Sequence, residues 1–317
     1  MDNLIKIKRL VLLFVTAISL FSCDNNDNSA SDNSIAGIAS NNSELSSLVT
    51  ALNKTGLTTT LSESGSFTVF APTNAAFATF LSENGYANLD AVPVNALKEI
   101  LLNHVISGSF QSSSLTTGYV KTLAKGSAST TNTLSMFINT SSGVKINGIA
   151  TVTTANIIAN NGIIHIVDKV IGLPTIVTHA TANPNFSSLV NALTAEGQPD
   201  FVNILSSNET FTVFAPTNDA FTSLDSELAP SGIAGVSSGN LTKVLKYHVV
   251  NGANVISSSL TNGQVVNTYV NQTFTVNLTP ARITDANARV SNITAVDVQC
   301  SNGIIHVLDK VLLPSFE

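Results

Sequence analysis

Few side chains in this 317-residue sequence could do chemistry, and spacing decides among them. Gly235-Val236-Ser237-Ser238-Gly239 has the G-x-S-x-G spacing that presents a nucleophilic serine on a strand-to-helix turn. That turn needs a strand directly before the serine. Here Pro230-Ser231-Gly232 precedes it, so a chance match is expected, and hydrolysis at Ser237 stands third among the readings. The five histidines are scattered through the chain. No H-E-x-x-H, Cys-x-x-Cys, phosphate-binding glycine loop or EF-hand pattern occurs, so neither metal nor cofactor is expected. With two cysteines, Cys23 and Cys300, the second is expected as a half-buried structural thiol in the strand-like run Asp297–Cys300.

Cys23 has a more specific setting. Lys6, Lys8 and Arg9 form a basic start, an apolar run spans Leu10 to Phe21, and Leu20-Phe21-Ser22-Cys23 follows. The apolar run is shorter than the ~18 residues of a spanning helix, which favours a signal peptide over residues 1–22. A cysteine after a small residue resembles a bacterial lipobox, cleaved before Cys23 and acylated on its sulfur; an ordinary secretory signal is the alternative. Residues 23–33 are polar and suit a tether. The expected place is the bacterial envelope, with the outer membrane or cell surface favoured and a periplasm-facing position left open.

Composition agrees. Only 11% of residues are charged against 44% hydrophobic, and Ser, Thr and Asn take the place of charge. A net charge of −6 without a basic stripe argues against nucleic acid as a partner.

The elements that would position any site are written twice. FTVFAPTN occurs verbatim at Phe67–Asn74 and Phe211–Asn218, NGIIH at Asn161–His165 and Asn302–His306, and His104 repeats as His248. A period of about 140 residues gives two self-sufficient domains, 34–173 and 174–317. In each, an amphipathic helix opens the copy, with Leu45, Leu48, Val49 and Leu52 at i, i+3, i+4, i+7. FTVFA then reads as an interior strand, apolar on both faces and stopped by Pro72. Thr73 or Asn74, and likewise Thr217 or Asn218, caps the next helix. A helix ending near His104 or His248 follows. Strand-like segments rich in Val, Ile and Thr complete each copy. The expected class is α+β, helices early and an antiparallel sheet late.

FTVFAPTN with Ala-Phe two residues on resembles the first signature block of fasciclin (FAS1) domains. NGIIHIVDKV and NGIIHVLDKV resemble the second, and Leu245-Lys246-Tyr247-His248 the block between. The resemblance covers residues 34–316. It implies a wedge of two packed β-sheets with helices covering one side. It also implies adhesion or matrix interaction at a cell surface, and in some members binding of ligands such as carotenoids. The Tyr-His block is implicated in adhesion, which carries over to Tyr247 and His248; the first copy departs by having Asn103 where Tyr is expected.

Residue by residue, FTVFAPTN reads as structural. His104 and His248 lie on apolar helix stripes and need internal partners, for which Asp168 and Asp309, taken as buried, are the natural candidates. His165 and His306 read as packing residues of the last strand, their face reaching the surface at one end. The resulting expectation is a non-enzymatic, lipid-anchored envelope protein with tandem fasciclin domains. Its partners would be the bilayer, through acylated Cys23, and a polysaccharide, matrix or envelope protein. The alternative is a carrier of a small apolar ligand such as a carotenoid.

Overall fold

The apolar stripe of the first copy forms the helix its spacing predicts, Ser46–Thr55, with Leu45, Leu48 and Leu52 buried. A computed structural model describes residues 32–316. The expected leader, Cys23 and the tether as far as residue 31 lie outside the described residues. Among the described residues no helix is long and apolar enough to cross a membrane.

The first domain runs α1 (Ile35–Ser40), α2 (Ser46–Thr55), α3 (Thr58–Ser62), β1 (Phe67–Pro72), α4 (Asn74–Glu83), α5 (Val94–Leu102) and β2 (Val105–Ser107). Then come β3 (Gly118–Gly126), β4 (Ser129–Asn139), β5 (Lys145–Ile146), β6 (Ala150–Ala159) and β7 (Gly162–Val167). The second domain repeats the order with α6 (Ile176–Ala182), α7 (Ser187–Leu193), α8 (Phe201–Ser206), β8 (Phe211–Pro216), α9 (Asn218–Glu227), α10 (Ser238–Tyr247) and β9 (Val249–Asn251). It ends in β10 (Gln264–Asn267), β11 (Thr273–Leu278), β12 (Ala281–Thr284), β13 (Val290–Cys300) and β14 (Gly303–Leu308).

Each domain has two cores, one on either side of its first strand. Val69 and Ala71 of β1 face α2, α4 and α5, packing with Leu48, Phe77, Leu97 and Leu101. Phe70 faces the opposite way, toward Met136 and Ile138 of β4 and Val167 of β7. FTVFA is therefore an interior strand, apolar on both faces, with helices on one side and curled sheet on the other. In domain 1 the seven strands close on themselves through a single β2–β3 pairing, Ile106 with Thr122; in domain 2 the sheet stays open between β9 and β10.

The late sheet is not wholly antiparallel. β1 lies parallel to β7, Phe67 opposite Gly162, and β8 lies parallel to β14. Hairpin connections force antiparallel neighbours, but β1 and β7 are separated by the rest of the domain, so no hairpin fixes their direction.

Candidate functional site

The two verbatim motifs meet along that parallel pair, and their polar residues bond inward. Thr73 caps α4, its hydroxyl accepting the Ala76 N–H at 3.1 Å; Thr217 does the same for Ala220 at 3.3 Å. Asn74 and Asn218 do a different job that the sequence did not disclose. Asn74 Oδ1 accepts the Ser47 N–H at 2.8 Å and its Nδ2 donates to Ser43 O, pinning the start of α2. Asn218 holds Ser188 N–H and Pro184 O in the same way. Asn218→Ala should cost about 1–2 kcal/mol, comparable to loss of the Thr217 cap. Urea unfolding of the single variants checks this.

Asn161 and Asn302 of NGIIH are the hubs of their domains. Asn161 Oδ1 accepts the Ile35 N–H at 2.8 Å and its Nδ2 donates to Leu61 O and Glu63 O, tying α1 and α3 to the end of β7. Asn302 ties Ile176, Leu205 and Ser207 identically.

The histidines are all interior. His104 Nδ1–H donates to Ile100 O at 2.7 Å, and its Nε2 accepts the Ile171 N–H at 2.8 Å. His248 matches it, with Val244 O at 2.8 Å and Leu312 N–H at 2.9 Å. Each ring thus joins the end of its helix to the segment after the last strand. Burial lowers both pKa values to about 4. The expected Asp168 and Asp309 partners are wrong, and so is their burial. Asp168 is exposed and accepts the Thr151 N–H at 2.7 Å; Asp309 is half-buried and accepts Asn292 N–H at 2.7 Å. Main-chain groups saturate both ring nitrogens, which leaves nothing for a carboxylate to do there.

His165 and His306 are also fully buried, and their face reaches the surface only past the end of the strand, at the exposed Lys169 in domain 1. His165 Nε2 donates to Phe110 O at 3.0 Å and stacks on Phe70; His306 Nε2 donates to Val255 O at 2.9 Å and stacks on Phe214. The last strand is an interior one, flanked by β1 and β6, so alternation with Lys169 does not expose its ring.

Tyr247 is fully buried and His248 nearly so. Tyr247 Oη donates to Thr273 O at 2.6 Å and accepts the Ala286 N–H at 3.0 Å, binding β11 and the turn after β12 to the end of α10. Burial pushes its pKa up to about 12. Asn103, at the equivalent position, instead donates to Gly172 O at 2.9 Å. Ser237 caps α10, accepting the Asn240 N–H at 3.3 Å, with a 3-10 turn rather than a strand before it. Cys300 is wholly buried rather than half-buried, and burial pushes its thiol pKa up.

An apolar cavity lies in domain 2, between Ile176, Leu189, Phe201, Val213, Leu245 and neighbouring side chains. Its volume is about 40 Å³. One water molecule needs about 10–15 Å³ of such space, so the cavity holds a few waters at most. A polyene would enter only if the helices moved apart.

A polar cluster lies where the domains join, and sequence reasoning missed it. The β3–β4 hairpin of domain 1 covers the outer edge of β13. Lys121 Nζ donates to Asp297 O at 2.7 Å and to Ser135 Oγ at 3.1 Å, and the Gln299 N–H donates to Ser135 Oγ at 3.0 Å. At the hairpin tip Ala128 N–H and Ser127 Oγ both reach Ser301 O. Tyr119 lies between Phe137 and His179 of α6, and Asn183 Nδ2 donates to its oxygen at 3.2 Å. His179 is fully buried, with main-chain groups of Ser135 and Gln299 near its ring but no well-formed hydrogen bond, and burial drives its pKa down to about 3. A signal was present in the sequence: at offset 141 His179 faces Ile38 and Gln299 faces Ile158, polar against apolar within otherwise matching stretches.

Fold and site together define a pair of α+β domains whose shared motifs are scaffold and whose differences gather at their junction. The family model of the fasciclin domain matches twice, over residues 43–174 and 184–314, and the chain belongs to that family. It is similar to protein sll1483 of Synechocystis, 38% identical over 142 residues, which are 44% of this chain and 73% of that protein. It is 30% identical to human periostin over 263 residues, 79% of this chain but only 28% of periostin's length. A FAS1 domain pair from the insect cell adhesion molecule Fasciclin I aligns with a TM-score of 0.49 and 20% identity, covering 83% of this chain and 92% of that one.

Proposed function

We propose that this protein is a lipid-anchored envelope protein whose two fasciclin domains mediate adhesion or envelope interactions without catalysis. One observation carries this reading. In a chain that matches the fasciclin family in both halves, the side chains able to do chemistry point inward, with His104, His165, His248, His306 and Cys300 all in the core. Tyr247 and His248 serve the role as positioning residues, holding β11 and the C-terminal segment in place. Contact with a polysaccharide, matrix or envelope protein falls to the outer surface, where Ser, Thr and Asn offer hydrogen bonds with little charge. The joined hairpin fixes the spacing of the two domains, so two weak contacts would reinforce each other without linker entropy.

Cys23→Ser is expected to move the protein from the membrane to the soluble fraction; unchanged fractionation rejects the lipid anchor. Protease shaving of intact cells then reports which side the domains face. Binding of the purified chain to matrix polymers, glycans and cells tests adhesion, and no binding across that panel rejects it. A coloured preparation from a pigmented host would favour the carrier instead.

A further inference from the structure

The internal repeat places a covered surface and its uncovered counterpart in one molecule. In domain 2, β12 pairs with β13 only over Val290–Asn292, and the remaining outer edge is taken by the β3–β4 hairpin. Val298, Gln299 and Cys300 are buried there, Gln299 to 1% exposure. In domain 1, β5 pairs with β6 only at Ala150 and Thr151. Among the described residues no hairpin covers the rest of that edge.

The two edges match residue for residue. Ile158 pairs with Ile163 as Gln299 pairs with Ile304, and Asn156 and Asp297 share a left-handed backbone at φ 65° and 60°. Asn160 N–H donates to Asn33 O as Ser301 N–H donates to Pro174 O. The same register therefore aims the Ile158 N–H outward, as it aims that of Gln299 toward Ser135. Yet Ile158 is 70% exposed.

The donor side has the same asymmetry. On β3–β4 the outward pair is Tyr119 and Phe137, which packs against domain 2. On β10–β11 the outward pair is Val265 and Thr275, between the buried Val266 and Phe274. Val265 is 64% exposed. Ile158 and Val265 are the two most exposed large apolar side chains among the described residues, one on the acceptor edge and one on the outward face of the donor hairpin. Within the molecule Gln299 meets Ser135, whose counterpart on β10–β11 is the exposed Thr273, cross-strand from Asn267 as Ser135 is from Lys121. Exposed apolar residues at an open strand edge are what a second chain pairs with.

We propose that the bare β6 edge of domain 1 around Ile158 accepts the β10–β11 hairpin, around Val265, of a second copy of this chain, repeating between molecules the junction found within one. Donor and acceptor lie on different domains, so the contact is heterologous and builds head-to-tail chains rather than a closed dimer. The β10–β11 hairpin is shorter than β3–β4, four and six residues against nine and eleven, so the intermolecular contact is the weaker of the two. The inference stands whether or not the chain binds a matrix partner.

Disulfide trapping tests it on the full chain in a Cys23→Ser background, where Cys300 is buried and silent. Single variants Ile158→Cys and Thr273→Cys are mixed under mild oxidation, with Ile158→Cys plus Val94→Cys as an exposed control pair. The expected result is a mixed 158–273 dimer forming at least about ten times faster than either homodimer or the control product. A chain carrying both cysteines should give a ladder of oligomers. If Ile158→Cys alone cross-links as fast as the mixture, the contact is isologous and the proposal fails. It also fails if the mixture does not exceed the control.

Discussion

Gly303→Ala is expected to abolish folding of the second domain. Gly303 sits at φ +154°, and a Cβ built on it would lie 2.0 Å from Phe211 O and 2.9 Å from Phe211 C. Those are main-chain atoms of β8, which pairs with β14 from Gly303 onward, so no side chain can swing aside. Relief requires opening the parallel pair that separates the two cores of the domain, beside the Asn302 hub. The cost should exceed about 4 kcal/mol, in the tail where main-chain clashes lie and close to the whole stability of many domains. Gly252→Ala supplies the contrast. Its φ is +76° but nothing lies within 4 Å, so only the left-handed penalty of about 1–2 kcal/mol applies. Calorimetry of both variants decides the matter, and a Gly303→Ala melting temperature within a few degrees of the parent's would refute the clash argument.

How far the sequence could be read follows from what kind of interaction each residue makes. The strand role of FTVFA, the helix stripes and the duplication were legible because they rest on local periodicity and on repetition. The Thr73 cap was legible as one of two candidates, since capping reaches only three residues along the chain. Asn74 and Asn161 were not, because their partners lie 27 and 126 residues away. For the same reason His104 was assigned a carboxylate when its partners are main-chain groups of Ile100 and Ile171. Charge complementarity is a sequence-level idea, whereas a free N–H after the last strand is visible only in three dimensions. The junction escaped notice because it arises from differences between the copies, and the reading was built on their likeness. Tyr119, Lys121 and Ser135 have no motif; what unites them is one face of one hairpin, which meets His179 of α6.

Acid should destabilise the fold in a window set by its buried histidines. His104 and His248 have folded pKa values of about 4 and His179 of about 3, all lowered by burial, against about 6.5 in an unfolded chain. A depressed histidine pKa means that the unfolded state binds more protons between those values, so stability rises with pH there. The contribution is fully present above pH 6.5 and is lost as pH falls toward about 4, with His179 continuing to about 3. A difference of 2.5 units corresponds to roughly 3 kcal/mol per histidine, and three together rival the stability of a whole domain. Nearby charges differ among the sites. Lys121 depresses His179 further, while Asp285 and Arg289 act on His248 in opposite directions. His165 and His306 are lowered by burial too, so urea denaturation from pH 7.5 to 4 should steepen below pH 6.5 toward an uptake of at least about three protons on unfolding. His179→Ile separates this account from general acid loss. Ile is the residue at the equivalent position 38, and His179 gives up no well-formed hydrogen bond in the exchange, only weak contacts to the Ser135 and Gln299 main chain. The variant should match or exceed the parent at pH 7.5 and shed one proton from the slope. A pH profile that stays flat between 6.5 and 4.5, or a slope unchanged in His179→Ile, would show that the buried imidazoles do not set acid stability.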